Sequence, residues 1–236
     1  MILPPARPTL SRWWRLVRQP QSTLLRLLEN ERVARLRLAG RTLDAGGGRE
    51  CNGRRLLSCD GGIDSLNVDR RLAPTVVADL ASGIPIADGR YANVISFNTL
   101  EHLRADDLVV RELYRVLAPG GRLFLTVPFL YRIHGSPEDY HRHTAIWWER
   151  LLAETGFARD QTFIEPLVFG ALSTALSFVD FGVPPLLRRA LRGLVLFAEI
   201  VRFGLAGGAP ANDGAGSPLG YFIEARKPAA GAASPS

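Results

Sequence analysis

The chain has 236 residues, 47% of them hydrophobic, which is enough to bury one full α/β core. Cys51 and Cys59, with seven residues between them, exclude a disulfide framework and lack metal-like spacing, so both read as reduced thiols of a cytosolic protein. The net charge of +6 is unevenly placed: residues 1–42 hold nine arginines against Glu29 and Glu31, a balance of +7, so the remainder sums to about −1. A cleft for nucleic acid should itself be basic, so nucleic acid is not the expected substrate. The arm can still meet anionic lipid, nucleic acid or an acidic partner.

In chain order, Leu10 to Leu38 reads as one or two amphipathic helices interrupted near Pro20, with Trp13, Leu16, Val17, Leu24, Leu27, Leu28, Val33 and Leu36 at helical spacing. Residues 1–40 are therefore expected to form a basic helical arm packed on the domain. Arg12, Arg15 and Arg18 interrupt any secretory apolar stretch. The longest apolar run, Pro166 to Leu187, is broken by Asp180 and Pro184-Pro185, short of the roughly 18 residues of a membrane span.

Strands follow at about 41–45, 64–68, 75–78, 92–97 and 122–127. A helix from Asp106 to Leu117 is closed by Pro119-Gly120-Gly121. Thr144 caps a second helix, Ala145 to Thr155, which Gly156 ends. Phe157 to Pro166 supplies a sixth strand and Leu219 to Arg226 a seventh. Between them lies a helical insert of about 167–205 and a flexible linker of about 206–217. A domain of 41–228 then precedes a small, Pro-containing tail at 229–236, expected to be disordered.

The ends of these strands carry the chemistry. Arg41-Thr42-Leu43-Asp44-Ala45-Gly46-Gly47-Gly48 is an apolar strand running into glycines behind an acid. Leu66-Asn67-Val68-Asp69 and Val76-Val77-Ala78-Asp79-Leu80 each end in a carboxylate, and Ala92 to His102 is a fourth strand with its exit. Ligands of open α/β sheets bind outside the carboxyl ends of the strands, at the switch in strand order. Glycine allows close backbone approach and positive φ, and an acid after the second strand can accept both ribose hydroxyls. A single Asp there could merely begin a turn. Three ordered acids around a glycine loop describe a nucleotide-like cleft.

These segments resemble the class I S-adenosylmethionine-dependent methyltransferases, specifically the small type 11 methyltransferase domains. The likeness covers residues 41–165, with a weaker echo at Leu219 to Pro228. It includes Asn98-Thr99-Leu100-Glu101-His102-Leu103 and Glu112-Leu113-Tyr114-Arg115-Val116-Leu117-Ala118-Pro119-Gly120-Gly121. A nicotinamide-binding fold would need its third glycine at Cys51. The methyltransferase pattern itself departs at Glu50, and the stretch from Arg49 to Leu66 has little helical periodicity, so the first helix is expected to be short or a loop.

The resemblance implies a Rossmann-like, seven-stranded, doubly wound sheet of order 3-2-1-4-5-7-6, and S-adenosylmethionine as the methyl donor. It places Asp44, Ala45, Gly46, Gly48, Asp69, Asp79, Leu80, Asn98, Leu100 and His102 at the donor. Asp69 would take the ribose, Asp79 would lie beside the adenine, and Asp44 near the ammonium group. Glu101 is expected to be structural or orienting. The implied acceptor is a small molecule or a glycan or lipid-glycan, with peripheral contact at the inner membrane surface considered for the arm and insert. RNA or protein methylation through the arm, and donor binding without catalysis, are the alternatives.

Three of the four histidines, His134, His141 and His143, fall within ten residues on the segment leaving the fifth strand. A metal site of His134, Asp139, His141 and His143 is one reading, and a structural loop with Asp139 paired to Arg142 and Tyr140 packed is another. The favoured reading is a substrate-facing loop with a histidine base, His134 first and His141 second, because a neutral imidazole accepts a hydroxyl proton near neutral pH. No metal is assigned.

Overall fold

The apolar runs from Thr42 to Pro128 form strands that are covered on both faces, as a parallel sheet requires. The computed structural model describes residues 1–49, 54–135, 138–179, 182–206 and 216–231. Glu50, Cys51, Gly53, Ser136, Pro137, Asp180, most of the 206–217 segment and the end of the tail lie outside them. Strands β1 (Arg37–Leu38) and β3 (Ser58–Cys59) form a parallel pair. The main sheet contains β2 (Thr42–Ala45), β4 (Ile63–Asn67), β5 (Val76–Val77), β6 (Tyr91–Phe97), β7 (Leu117–Pro128), β8 (Thr162–Leu167) and β9 (Gly220–Arg226). Its order is β5-β4-β2-β6-β7-β9-β8, or 3-2-1-4-5-7-6 when these seven are counted in chain order. β9 runs antiparallel to both neighbours, and the remaining pairs are parallel.

Alternation along the central strands divides the core in two. Val94, Leu123, Leu125 and Ile223 face α3 (Asp106–Val116) and α4 (Ala145–Thr155), where Val110, Leu113, Trp148 and Leu152 are buried. Ile95, Phe124 and Phe222 face the other way, onto α1 (Leu10–Val17), α2 (Leu24–Val33) and α6 (Pro185–Leu205), through Leu16, Leu28 and Leu196. Each such leucine contributes about 1.5–3 kcal/mol by leaving water, so the arm helices form one wall of the core.

Local chemistry sets the element ends. Thr9, Thr23 and Thr144 accept backbone N–H groups at the starts of α1, α2 and α4. Gly156 closes α4 at φ 110°. α5 (Ala171–Ser177) begins where the buried Glu199 carboxylate accepts from the Leu172 N–H at 2.5 Å, so the insert's two helices are tied together.

Several boundaries differ from the sequence reading. Residues Arg37 and Leu38 are strand, not helix, because they pair with Ser58 and Cys59. Between β2 and β4 the described residues hold no α-helix, in line with the expected short helix or loop, only the tight turn Arg54–Leu56 and the two-residue β3. Pro119-Gly120-Gly121 ends α3 but lies within β7, where the pairing shifts register between Tyr91 and Asn93. Phe157 to Gln161 precedes β8 as a turn, since the strand starts at Thr162.

Candidate functional site

β2 carries the buried Asp44 to the carboxyl end of the sheet, and Gly46 turns the chain there at φ 92°. A Cβ on Gly46 would lie 2.3 Å from the Thr99 side chain, and one on Gly47 would lie 2.0 Å from the Asp44 carboxylate. Side chains therefore fill the space that glycine leaves empty. The Asn67 amide donates to the Gly46 carbonyl at 2.6 Å and clamps the loop from β4. Ala45 is fully buried, and Gly48 lies against Leu72. Asn67 and Thr99 escaped sequence reasoning because amides and hydroxyls at strand ends are common.

Asp69 stands two residues past β4 and caps the turn Arg70–Leu72. It accepts from the Arg71 backbone N–H at 2.9 Å and pairs with the Arg71 guanidinium at 2.8 Å. That partner holds its carboxyl below the usual range. Asp79 caps the next turn, accepting from the Ala81 N–H, with Leu80 buried beside it. Asn98 sits at φ 50°, rare for a residue with a side chain, and its amide donates to Thr126 Oγ1 at 3.2 Å. Leu100 is buried below it. Asp44 thus lies near the end of β2, and Gly46, Asp69, Asp79 and Asn98 follow the carboxyl ends of β2, β4, β5 and β6, four neighbouring strands.

The histidines divide into two groups. His102 and His134 meet edge to face, with ring centroids 5.1 Å apart, beside the buried Glu101. His102 Nδ1 is 2.6 Å from the Glu138 carbonyl. His134 is held through its backbone N–H, which donates to Asp139 Oδ2 at 2.8 Å, and burial lowers its imidazole pKa. Asp139 forms a two-pronged pair with Arg142 at 2.5 and 2.6 Å. His141 and His143 form the second group, stacked at 4.9 Å and turned towards α3. His143 Nε2 is 2.9 Å from Asp106, and His141 Nε2 is 3.0 Å from the Arg104 carbonyl. The His134, Asp139, His141 and His143 grouping is therefore not assembled. Tyr140 is exposed rather than packed.

Glu101, expected to be structural or orienting, is buried. Burial pushes its carboxyl up to about 8, and neither oxygen has a hydrogen-bond partner among the described residues. Behind it, α2 supplies a second buried carboxylate, Glu29, pushed by burial up to about 7 and paired with Arg26 at 3.1 Å. A buried acid on an amphipathic helix gives no sequence signal that it points inward to a distant strand end.

Residues 51–125 match the family described as a methyltransferase domain. No curated protein matches the sequence. Among solved structures, the Haemonchus contortus phosphoethanolamine N-methyltransferase 2 in complex with S-adenosyl-L-methionine is 15% identical, with a TM-score of 0.52 over 86% of this chain and 52% of that one. The chain thus spans about half the length of that protein. An S-adenosylmethionine-dependent methyltransferase from Thermotoga maritima is 14% identical, with a TM-score of 0.55 over 92% and 94%. The [4+2]-cyclase SpnF is 16% identical, with a TM-score of 0.53 over 97% and 100%. At these identities the likeness is one of fold. The chain has the Rossmann-like α/β fold of the class I S-adenosylmethionine-dependent methyltransferases, and its residues 51–125 match the methyltransferase-domain family.

Proposed function

We propose that the protein transfers a methyl group from S-adenosylmethionine to a nucleophile on a small-molecule or glycan-type acceptor. The observation that carries this reading is the row of strand ends: a positive-φ Gly46 loop backed by Asp44, followed by Asp69, Asp79 and Asn98 at neighbouring strands. Gly46 and Gly48 would bring backbone to the amino-acid end of the donor, with Asp44 near its ammonium group. Asp69 would accept the ribose hydroxyls, while Asp79, Leu80, Asn98, Leu100 and His102 border the rest. The donor is already an activated sulfonium, so the protein has mainly to align nucleophile, carbon and sulfur, which is worth about 7–11 kcal/mol.

His134 lies after β7, outside the strand ends assigned to the donor, and is the acceptor-side group. Its Nε2 points at Glu101 from 3.8 Å. His141 is the weaker candidate because its Nε2 is occupied by the Arg104 carbonyl. The test is calorimetry with S-adenosylmethionine, followed by transfer of labelled methyl to acceptor pools. His134→Ala should keep donor affinity and lose about 10²–10⁴-fold in turnover with a hydroxyl acceptor. Absence of donor binding by the folded protein removes the whole reading. Donor binding without label transfer favours another chemistry on the same fold, as the cyclase exemplifies.

Docking of RNA or protein through the arm has less support. Arg12 and Arg15 pair with Glu31, Arg26 with Glu29 and Arg32 with Glu165, so much of the arm's charge is neutralised within the fold. Peripheral contact with an anionic lipid surface has more. No described helix is long and apolar enough to cross a membrane. Yet Leu186, Leu187, Leu194, Phe197, Val201 and Leu205 form an exposed apolar stripe along α6 at helical spacing. Trp14 lies exposed on the neighbouring α1, with Arg18 over its ring at 5.4 Å, and Arg189 and Arg202 are exposed on α6. Apolar side chains beside cations suit an anionic interface.

A further inference from the structure

Three ligand-type atoms converge where β6 and β7 end. Glu101 Oε1 lies 3.7 Å from His102 Nε2 and 3.8 Å from His134 Nε2. These separations are too long for hydrogen bonds. The other ring nitrogens have fixed partners: His102 Nδ1 meets the Glu138 carbonyl at 2.6 Å, and His134 Nδ1 meets the Arg132 carbonyl at 3.3 Å. A carbonyl can only accept, so the neutral His102 ring carries its proton on Nδ1 and keeps a lone pair on Nε2. His134 takes the same tautomer when its Nδ1 donates to the Arg132 carbonyl rather than accepting from Arg142 Nη2 at 3.5 Å. In these tautomers two imidazole lone pairs face a buried carboxyl group that has no hydrogen-bond partner among the described residues. That arrangement lacks a cation.

We propose that Glu101, His102 and His134 form a site for a divalent transition-metal ion, with zinc the best match. Two imidazoles and one carboxylate are the donor set of open, catalytic zinc sites. Ligands about 2.0–2.2 Å from a tetrahedral zinc sit roughly 3.3–3.6 Å apart, so the two Glu101–imidazole separations need to close by only a few tenths of an ångström, and all three ligand atoms lie within 4.8 Å of one another. The supporting shell is present as well. Metal-bound imidazoles pass their other N–H to a carbonyl or carboxylate. Here the partners are the Glu138 and Arg132 carbonyls, with Asp139 3.4 Å from His134 Nδ1 and itself anchored by Arg142. Asp106, His141 and His143 also bring three ligand atoms within 4.8 Å, but there Asp106 is at hydrogen-bond distance from His143 Nε2, 2.9 Å, and His141 Nε2 meets the Arg104 carbonyl.

Resting on the methyltransferase reading, the ion's open position would take an acceptor hydroxyl and lower its pKa. The hydroxyl proton leaves to solvent, the oxygen bonds to the methyl carbon, and the carbon–sulfur pair returns to sulfur as S-adenosylhomocysteine departs. This chemistry selects oxygen acceptors, and especially those with a neighbouring hydroxyl able to chelate.

The test uses the full chain, stripped with chelator and titrated with cobalt(II) by visible absorption and with zinc by calorimetry, both without donor. One equivalent should bind saturably. Glu101→Gln and His134→Ala should each weaken binding by more than about 10-fold, whereas His141→Ala should leave it unchanged. Circular dichroism and donor affinity identify variants that remain folded. No saturable binding by the wild-type chain, or binding that survives in folded Glu101→Gln and His134→Ala, overturns the site. Metal binding without S-adenosylmethionine binding would sink the methyltransferase reading and leave the metal site standing, while the reverse result would remove the site alone.

Discussion

Arg71 grips Asp69 from two directions. Its backbone N–H and its Nε both donate to Oδ1, at 2.9 and 3.0 Å, and its Nη2 donates to Oδ2 at 2.8 Å. Because the Arg71 side chain is 90% exposed, this pairing is cheap to rearrange. A ribose arriving at Asp69 would share or displace the guanidinium. Hydrogen bonds to a charged group contribute about 1.5–3 kcal/mol, so Asp69→Ala should weaken S-adenosylmethionine binding by roughly 10–150-fold. Arg71→Ala should leave the affinity unchanged or raise it. Calorimetry on both variants checks this, and unchanged affinity in Asp69→Ala would refute the ribose assignment.

Gly46→Ala adds the smallest possible side chain at the tightest point of the loop. Positive φ and the 2.3 Å approach to Thr99 act together. Strain of this kind costs about 1–3 kcal/mol, so the melting temperature should fall by several degrees. Donor binding should be lost while the far-ultraviolet circular dichroism stays near wild type. Retained donor binding would mean that the amino-acid end of the donor lies elsewhere.

The contrast between the glycine loop and the histidine segment explains what the sequence could reveal. Gly46, Asp69 and Asp79 were legible because strand ends are local: an apolar run followed by a particular residue fixes position and chemistry together. α4 was legible to the residue, since Thr144 and Gly156 are both local caps. The pairing of β1 with β3 was not, because two-residue strands carry no periodicity. Nor was the meeting of Glu101, His102 and His134, which depends on a loop folding back across more than thirty residues. His141 and His143 look equivalent to His134 in sequence, and only the fold turns them towards Asp106.

Glu112 and Arg115 give the phrase that precedes Pro119 a structural purpose. Glu112 accepts from the Ile84 N–H at 3.0 Å and pairs with Arg115, which also donates to the Ile84 and Ile86 carbonyls. Together they fasten the β5–β6 connection to α3. Arg115 lowers the Glu112 carboxyl from 4.5 to about 2. A depressed folded pKa means that the unfolded chain binds more protons across this window, so stability is fully present above about 4.5 and lost as pH falls towards 2. Discounted for partial exposure, the contribution should be about 1–2 kcal/mol at pH 7. Thermal melts of Glu112→Gln should show a deficit at pH 6 that shrinks by pH 2. A deficit independent of pH would mean that packing, not charge, supplies the stabilisation.

The outer face of α6 provides the test of membrane docking. Leu194 and Phe197 are 67% and 47% exposed, so replacing either with Asp should leave the fold intact. Burying one such side chain in an interface is worth about 1.5–3 kcal/mol, so each substitution should weaken binding to anionic vesicles by more than about 10-fold. Arginine attraction adds a component that salt screens within about 10 Å at 0.1 M. The wild-type protein should therefore float with anionic liposomes at low salt, float less at high salt, and not float with neutral ones. Leu194→Asp and Phe197→Asp should remain in the soluble fraction throughout. If the wild-type protein also stays there at low salt, the lipid surface is the wrong partner, and the stripe must be covered by another protein surface instead.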